Sequence, residues 1–357
     1  MVYKNNKRGF TLVELLAVIV ILAVVILIAV TAVVPRMNNA KKKAFIDEAL
    51  IYLKAGKEAY TAEDTECFNI NEFDNYIKNN KDNYSGTLFV NEKGATLNLT
   101  DGKYYVITSG DLSDYDIKDT APTNFITSCS DTSKTYTITY DLGGGTLSTA
   151  NPSSYNPNTP TFTLNNPTKS GYRFVGWSSK NLLNMYGRTE DYFSDFTNTS
   201  VRQFDLSKYY VGMTPNNYSR NSNITSLSVS HVWTIETKAA GYGIGFPIRV
   251  KPNSSYMVVN PSNGDIAVGL YKENGEYISF TQATSADLSF STPSNAAIAD
   301  VVLRPYPVNT KFNYYDIQVE EGSTSTDYQE YMEPTTNAKV YRGSVGNKKF
   351  IANWEAI

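Results

Sequence analysis

Glu14 stands at the mouth of an apolar run of 20 residues, Leu15 to Val34, whose only polar side chain is Thr31. An ionised carboxylate at a bilayer centre costs about 2.5–3.5 kcal/mol, and less near the interface. The chemistry such a group suits is pairing with a cation in apolar surroundings. Just ahead, Lys7-Arg8-Gly9-Phe10 joins a basic leader to a small residue at which a peptidase can cut. The two cysteines, Cys67 and Cys129, offer one disulfide if the body faces an oxidising space; two free buried thiols and an intermolecular bridge are the alternatives. Together with His231 they lack the spacing of zinc ligands, and one aspartate in Asn260 to Asp265 is thin support for calcium, so no metal site is read.

His231 is the only histidine. A Ser-His-Asp arrangement would need it, but strand alternation sends Ser228 and Ser230 to the opposite face. Gly143 to Gly145 lacks the Lys-Ser/Thr and helix that would make it a phosphate cradle. Glu320 and Glu321 cannot be paired across space, which leaves a glycosidase dyad unsupported. No catalytic residue and no cofactor is named, and the chain is read as a non-enzyme. Aromatic rings that could stack on sugars remain, and Trp233, Tyr242 and Tyr271 are the candidate ligand-binding residues, although such rings often pack in a core.

The elements that must carry these residues follow from spacing. At 1.5 Å per residue the apolar run spans roughly 30 Å, a bilayer core. Pro35 then removes a backbone donor and predicts a kink. A helical stripe resumes from Asn39, with Phe45, Ile46, Ala49, Leu50, Leu53 and Tyr60 at three- and four-residue spacing. Strands are expected at Thr87 to Asn91, Ala95 to Thr100 and Lys103 to Ser109, joined by turns at Asn91 to Gly94 and Asp101-Gly102. A helix stripe on an antiparallel sheet makes an α+β head. Basic residues flank both ends of the run, so charge alone does not orient it. No other long apolar run occurs, which keeps the body on one side of a membrane.

The chain has 357 residues, enough for two or three domains, and 41% hydrophobic residues, enough for a sizeable core. A net charge of −3 argues against nucleic acid as a partner. The 27 Tyr, with abundant Ser, Thr and Asn, suit extracellular β-structure. From Lys134 onward the pattern is all-β. Ile224 to Ile235 alternates as one strand, with Leu227, Val229, His231, Trp233 and Ile235 on one face. Further strands are expected at Gly243 to Val250, Ser255 to Val259, Ile266 to Lys272, Ala297 to Arg304 and Tyr314 to Glu320, a pattern that favours a sandwich or jelly roll.

The leader, Gly9, Phe10, Glu14 and the apolar run resemble the N-terminus of type IV pilins and pseudopilins. The resemblance implies cleavage by a prepilin peptidase after Gly9 and an N-methylated Phe10. It implies that Glu14, fifth after the cut, pairs with the N-terminus of a neighbouring subunit. The leader would be cytoplasmic and the body outside, in a single-pass membrane protein that ends on the cell surface or a pilus. Pilins often carry a disulfide near the end of the head, which agrees with pairing Cys67 to Cys129. Tyr140-Asp-Leu-Gly-Gly-Gly145, Asn166-Pro-Thr-Lys-Ser-Gly-Tyr172 and Gly176-Trp177 resemble the internalin-type B repeat of bacterial surface proteins, a β-grasp-like module. The family's closing tryptophan strand is found only at Lys349 to Trp354. Asn181-Leu182-Leu183 and Ile317 to Thr324 with Tyr328 resemble the ends of phage tail-fibre jelly rolls, which are similar to carbohydrate-binding modules.

The expected architecture is therefore multidomain, α+β and all-β. It consists of a leader (1–9), a pilin-like helix and head (10–133), a split repeat (134–179 plus 336–357) and an inserted β-sandwich (180–335). The expected function is that of a pilin-like subunit, minor or tip, presenting β modules for adhesion; the alternative is a pseudopilin of a secretion or DNA-uptake machine. The expected partners are other pilin subunits, the prepilin peptidase, the inner membrane before assembly, and a host or glycan receptor.

Overall fold

Thr11 and Glu14 start the first element. Thr11 N and Oγ1 donate to Glu14 Oε2 at 2.9 and 3.0 Å, and Glu14 N donates back to Thr11 Oγ1 at 3.2 Å. This reciprocal box satisfies otherwise orphaned donors at a helix start. Helix α1, Leu12–Glu63, follows and is unbroken through Pro35. The computed structural model describes residues 11–63, 65–73, 76–77, 83–110, 112, 116–131, 133–185, 188–191, 202–213, 225–229, 232–236, 242–305 and 311–357, with the side chains of 27–35 and of some strand residues left out. Among the described residues no helix is long and apolar enough to cross a membrane. The apolar run of the sequence extends into the side chains left out.

The outer half of α1 buries Phe45, Ala49, Tyr52, Leu53 and Ala59. They pack on Leu88, Val90, Leu97, Leu99 and Val106 of an antiparallel sheet in the order β1 (Cys67–Asn69), β2 (Ser85–Asn91), β3 (Gly94–Thr100), β4 (Tyr105–Thr108). Gly56 fits here for a steric reason: a Cβ would come within 2.4 Å of Leu88 Cδ2. The chain after β4 is tied back over the sheet. Thr87 Oγ1 donates to Ile126 O, and Ile126 N donates to Asn98 Oδ1.

Strands β5 (Tyr136–Asp141), β6 (Ser154–Tyr155), β7 (Phe162–Thr163) and β8 (Tyr172–Ser179) open the next unit. Then come β9 (Thr189–Asp191), β10 (Lys208–Met213), β11 (Thr225–Val229), β12 (Val232–Glu236), β13 (Tyr242–Arg249) and β14 (Ser255–Val259). They are followed by β15 (Asp265–Tyr271), β16 (Tyr277–Thr284), β17 (Leu288–Ser291), β18 (Ile298–Arg304), β19 (Lys311–Tyr315) and β20 (Gln318–Glu321). A six-stranded sheet, β16-β15-β18-β13-β10-β9, shares one core with the smaller sheets β11-β12-β19 and β17-β14-β20.

Two expectations for this region change. The single strand Ile224 to Ile235 is a hairpin, in which Val229 of β11 faces Val232 of β12. The strand Tyr314 to Glu320 is broken at Asp316, whose φ of 48° lies in the left-handed region and ends the extended run between β19 and β20.

β21 (Lys339–Val340) and β22 (Lys348–Ala356) complete the chain. β22 lies between β5, parallel, and β8, antiparallel, in a sheet ordered β6-β5-β22-β8, while β21 pairs with β7. The core of this unit contains Trp177, fully buried, with Ile138, Leu164, Val340 and Phe350. Gly145 lies flat on Trp354, where a Cβ would meet Cζ2 at 2.4 Å. The molecule is thus mostly β, with one long N-terminal helix and several small sheets.

Candidate functional site

The N-terminal site begins at Thr11, since Gly9 and Phe10 lie outside the described residues. Glu14 is exposed and folded back toward the helix start by Thr11. The apolar side chains beyond it are exposed all around the helix: Leu15 is 57% and Ile21 62% exposed. A helix bare on every side calls for apolar surroundings from outside the subunit. The sequence reading did not single out Thr11, although the spacing Thr-x-x-Glu ahead of an apolar run is a capping-box signature.

Cys67 and Cys129 are joined, with Cα atoms 5.9 Å apart. The register of β1 and a hydrogen bond from Cys129 N to Asn69 Oδ1 at 2.8 Å bring them together. The bridge lies in a small cluster with Phe89, Ile126 and Val345, where the head meets the unit that β22 completes. Thr161 Oγ1 donates to Glu66 at 2.6 Å, and Glu92 accepts from Lys339 Nζ at 2.8 Å and Tyr341 OH at 2.9 Å. These two hydrogen bonds hold the Glu92 carboxyl below its ordinary range.

Two of the three candidate ring platforms, Trp233 and Tyr271, do not face solvent. Trp233 is 4% exposed, with its ring edge-on to Phe246 and Tyr209. Tyr271 is 1% exposed; Arg202 Nη1 donates to its hydroxyl at 2.8 Å, and burial raises its pKa above the usual range. Both expectations are corrected. Trp233 points with Ile235 into the shared core, and Tyr271 is on a strand buried on both faces. The side chain of Tyr242 and all of His231 fall outside the described residues.

The entry and exit of residues 180–335 are cross-braced. Lys180 Nζ donates to Thr326 Oγ1 and lies 3.7 Å from Glu320 Oε2, with both charged side chains buried. Burial pulls the Lys180 pKa down against the opposing pull of Glu320. Asn181 Oδ1 accepts from Leu183 N and Val319 N, and Asn347 Nδ2 donates to Asp327. A polar cleft of about 450 Å³ opens beside this brace, lined by Lys180, Lys251, Glu321, Asp141 and Lys349. Lys348 is pulled down to about 8 by burial of its ammonium; Glu330 resists this, and Lys180 and Lys93 add to it. No sequence signal marks Lys348, because its surroundings come from three separate stretches of chain.

Residues 4–30 match the prokaryotic N-terminal methylation motif, and residues 136–197 match the Listeria-Bacteroides repeat domain. The matched N-terminal motif suggests a type IV pilin-like or pseudopilin protein. No curated protein matches the chain. Among solved structures, the Glycosylation Associate Protein (Gap123) complex from Streptococcus agalactiae is 11% identical over 34% of this chain and 47% of that one, with a TM-score of 0.24. This chain thus spans about half the length of that structure. Accessory secretory protein 1, 2 and 3 of Streptococcus pneumoniae is 11% identical over 36% of this chain and 99% of that one, TM-score 0.25. A carbohydrate-binding module from Cellvibrio mixtus lichenase 5A, solved with cellotriose, is 10% identical over 32% and 97%, TM-score 0.19.

Proposed function

We propose that the chain is a cell-surface type IV pilin-like subunit, minor or tip, that assembles through its N-terminal helix and presents its β modules for adhesion. The observation that carries this reading is the methylation motif at residues 4–30, which runs directly into α1. The two halves of that helix have opposite commitments. The outer half is buried on the head, and the described inner half has no apolar partner within the subunit. Before assembly, residues 15–34 cross the inner membrane once, with the leader inside. The reading includes no catalytic step, no cofactor and no nucleic-acid partner.

Adhesion is supported by the material beyond the head. It comprises a repeat-like module, 134–179 with 336–357, and a sandwich-like insert, 180–335, that has a core of its own. With Trp233 in that core and Tyr271 buried beside Arg202 and Phe204, a glycan receptor would have to use other residues. The test is N-terminal sequencing of the mature protein together with imaging of labelled protein on extended fibres. A mature chain starting at Phe10 and signal along fibres are expected. A chain starting at Met1, or beyond Val34, removes the reading. Correct processing without fibre signal reassigns the chain to a secretion or DNA-uptake pseudopilin. A glycan array probed with the full chain then tests the receptor class.

A further inference from the structure

Sheets end in strands whose outer N–H and C=O groups lack partners, and proteins blunt such edges with short strands, charges, prolines or bridges. Nearly every described edge strand here is blunted. β1 and β9 have three residues each, β6 and β7 two, and β17 four. β4 is bridged by Lys118, and β8 carries Arg173 and is bridged by Thr335. β19 contains Lys311, β20 contains Glu320 and Glu321, and β11 has five residues.

β16 differs. It is eight residues long, Tyr-Ile-Ser-Phe-Thr-Gln-Ala-Thr, with no charge and no proline. One side pairs with β15 in even register from Thr284 back to Ser279, and its single irregularity lies at the Tyr277 end. Among the described residues the other side meets no strand, and its backbone makes no bridge or turn hydrogen bond there. Its side chains are all exposed or half-buried, with the neighbours Phe280 and Thr281 both half-buried, whereas β15 is buried throughout.

We propose that β16 is a pairing edge for a second copy of this chain. The two six-stranded sheets would join antiparallel about a two-fold axis normal to the sheet near Phe280 and Thr281. The same chemistry recommends a second copy over a foreign strand. An uncharged edge meets itself without like-charge contact, and the two-fold keeps both core sides on one face, so neither core is exposed. Charged groups flank the strand and do not interrupt it: the Lys272–Glu276 pair at one end and Asp287 at the other. Antiparallel pairing keeps the two Asp287 side chains at opposite ends of the joint; parallel pairing would place Asp287 against Asp287.

This pairing needs no filament, so it can fail while the helix-based reading stands, and the reverse. The test uses the full chain in detergent, in which both native cysteines are already bonded. Ser279→Cys, Phe280→Cys, Thr281→Cys and Gln282→Cys are oxidised mildly one at a time, with Thr139→Cys on the exposed face of β5 as control. Disulfide dimers well above the control are expected at one or two adjacent positions. Adding lysines at two other positions among 279–282 should reduce the dimer about tenfold by cross-strand repulsion. Dimer at the control level in all four variants, equal dimer in all four, or dimer undiminished by the lysines overturns the proposal.

Discussion

At Glu14 a single carboxylate has two roles available. Within the subunit it completes the Thr11 box, which satisfies otherwise orphaned donors at the helix start. In apolar surroundings a neighbour's ammonium would offset its desolvation far more strongly. Glu14→Ala should therefore leave processing and membrane insertion unchanged and reduce incorporation into fibres, measured beside wild-type subunits; equal incorporation would remove the proposed pairing role. Gly145 illustrates a different residue-level constraint. Its Cβ would collide with Trp354 Cζ2 and Cη2 and with Leu142 O. Gly145→Ala should destabilise the surrounding unit by about 1–3 kcal/mol, the usual cost of overpacking. Urea unfolding read through hydrogen exchange in β5, β8 and β22 would show it.

Among the elements, β22 is central to its sheet. It lies between β5 and β8, and neither of those is otherwise paired to the other. Deleting 338–357 should expose β5 and β8 to full hydrogen exchange while the head sheet keeps its protection. Trp177 is fully buried and Trp354 only half-buried. Trp177→Ala should therefore cost about 3–5 kcal/mol and Trp354→Ala distinctly less. The reverse order would mean that the fold around β8 is wrong. The disulfide works at the same scale. Closing a loop with a sequence separation of 62 stabilises by roughly 4 kcal/mol on the chain-entropy account. A Cys67→Ser/Cys129→Ser variant should show a lower melting temperature and looser contacts at Glu92–Lys339, because the bridge sits inside that junction.

In the whole molecule, the head, the β22 sheet and the insert meet around Lys348 of β22, which feels Lys93 from the head and Lys180 and Glu330 from the insert. Its folded pKa of about 8 lies below the ordinary 10.5. Between those values the unfolded chain holds a proton that the folded chain has released, so stability rises with pH across that window. Below about 8 both states are charged and the full penalty applies; above about 10.5 both are neutral and it is gone. Lys348→Met should thus stabilise the protein at pH 7, by at most about 3 kcal/mol. Its advantage over wild type should close as pH climbs from about 8 to about 10.5. Melting curves of both proteins across that range check the sign.

Some features follow from local pattern alone. An apolar run with one carboxylate at its edge, a helix stripe at 3.6-residue spacing and the Asp101-Gly102 turn are short-range signals, and α1, β2, β3 and β4 follow from them. With only two cysteines, one intramolecular bridge was available. Alternation failed where a strand is covered on both faces. All seven residues of β15 are buried, so period two cannot tell which side holds Tyr271, and its ring was taken for a surface platform. It failed again at β11 and β12, where the alternating pattern continues from one strand to the next and hides the antiparallel pairing that carries Trp233 inward. Nothing local marks Lys348, Glu92 or the open edge of β16. Whether a charge is desolvated or a backbone edge unpaired depends on what the distant chain packs against it, and that is decided only when the sheets assemble.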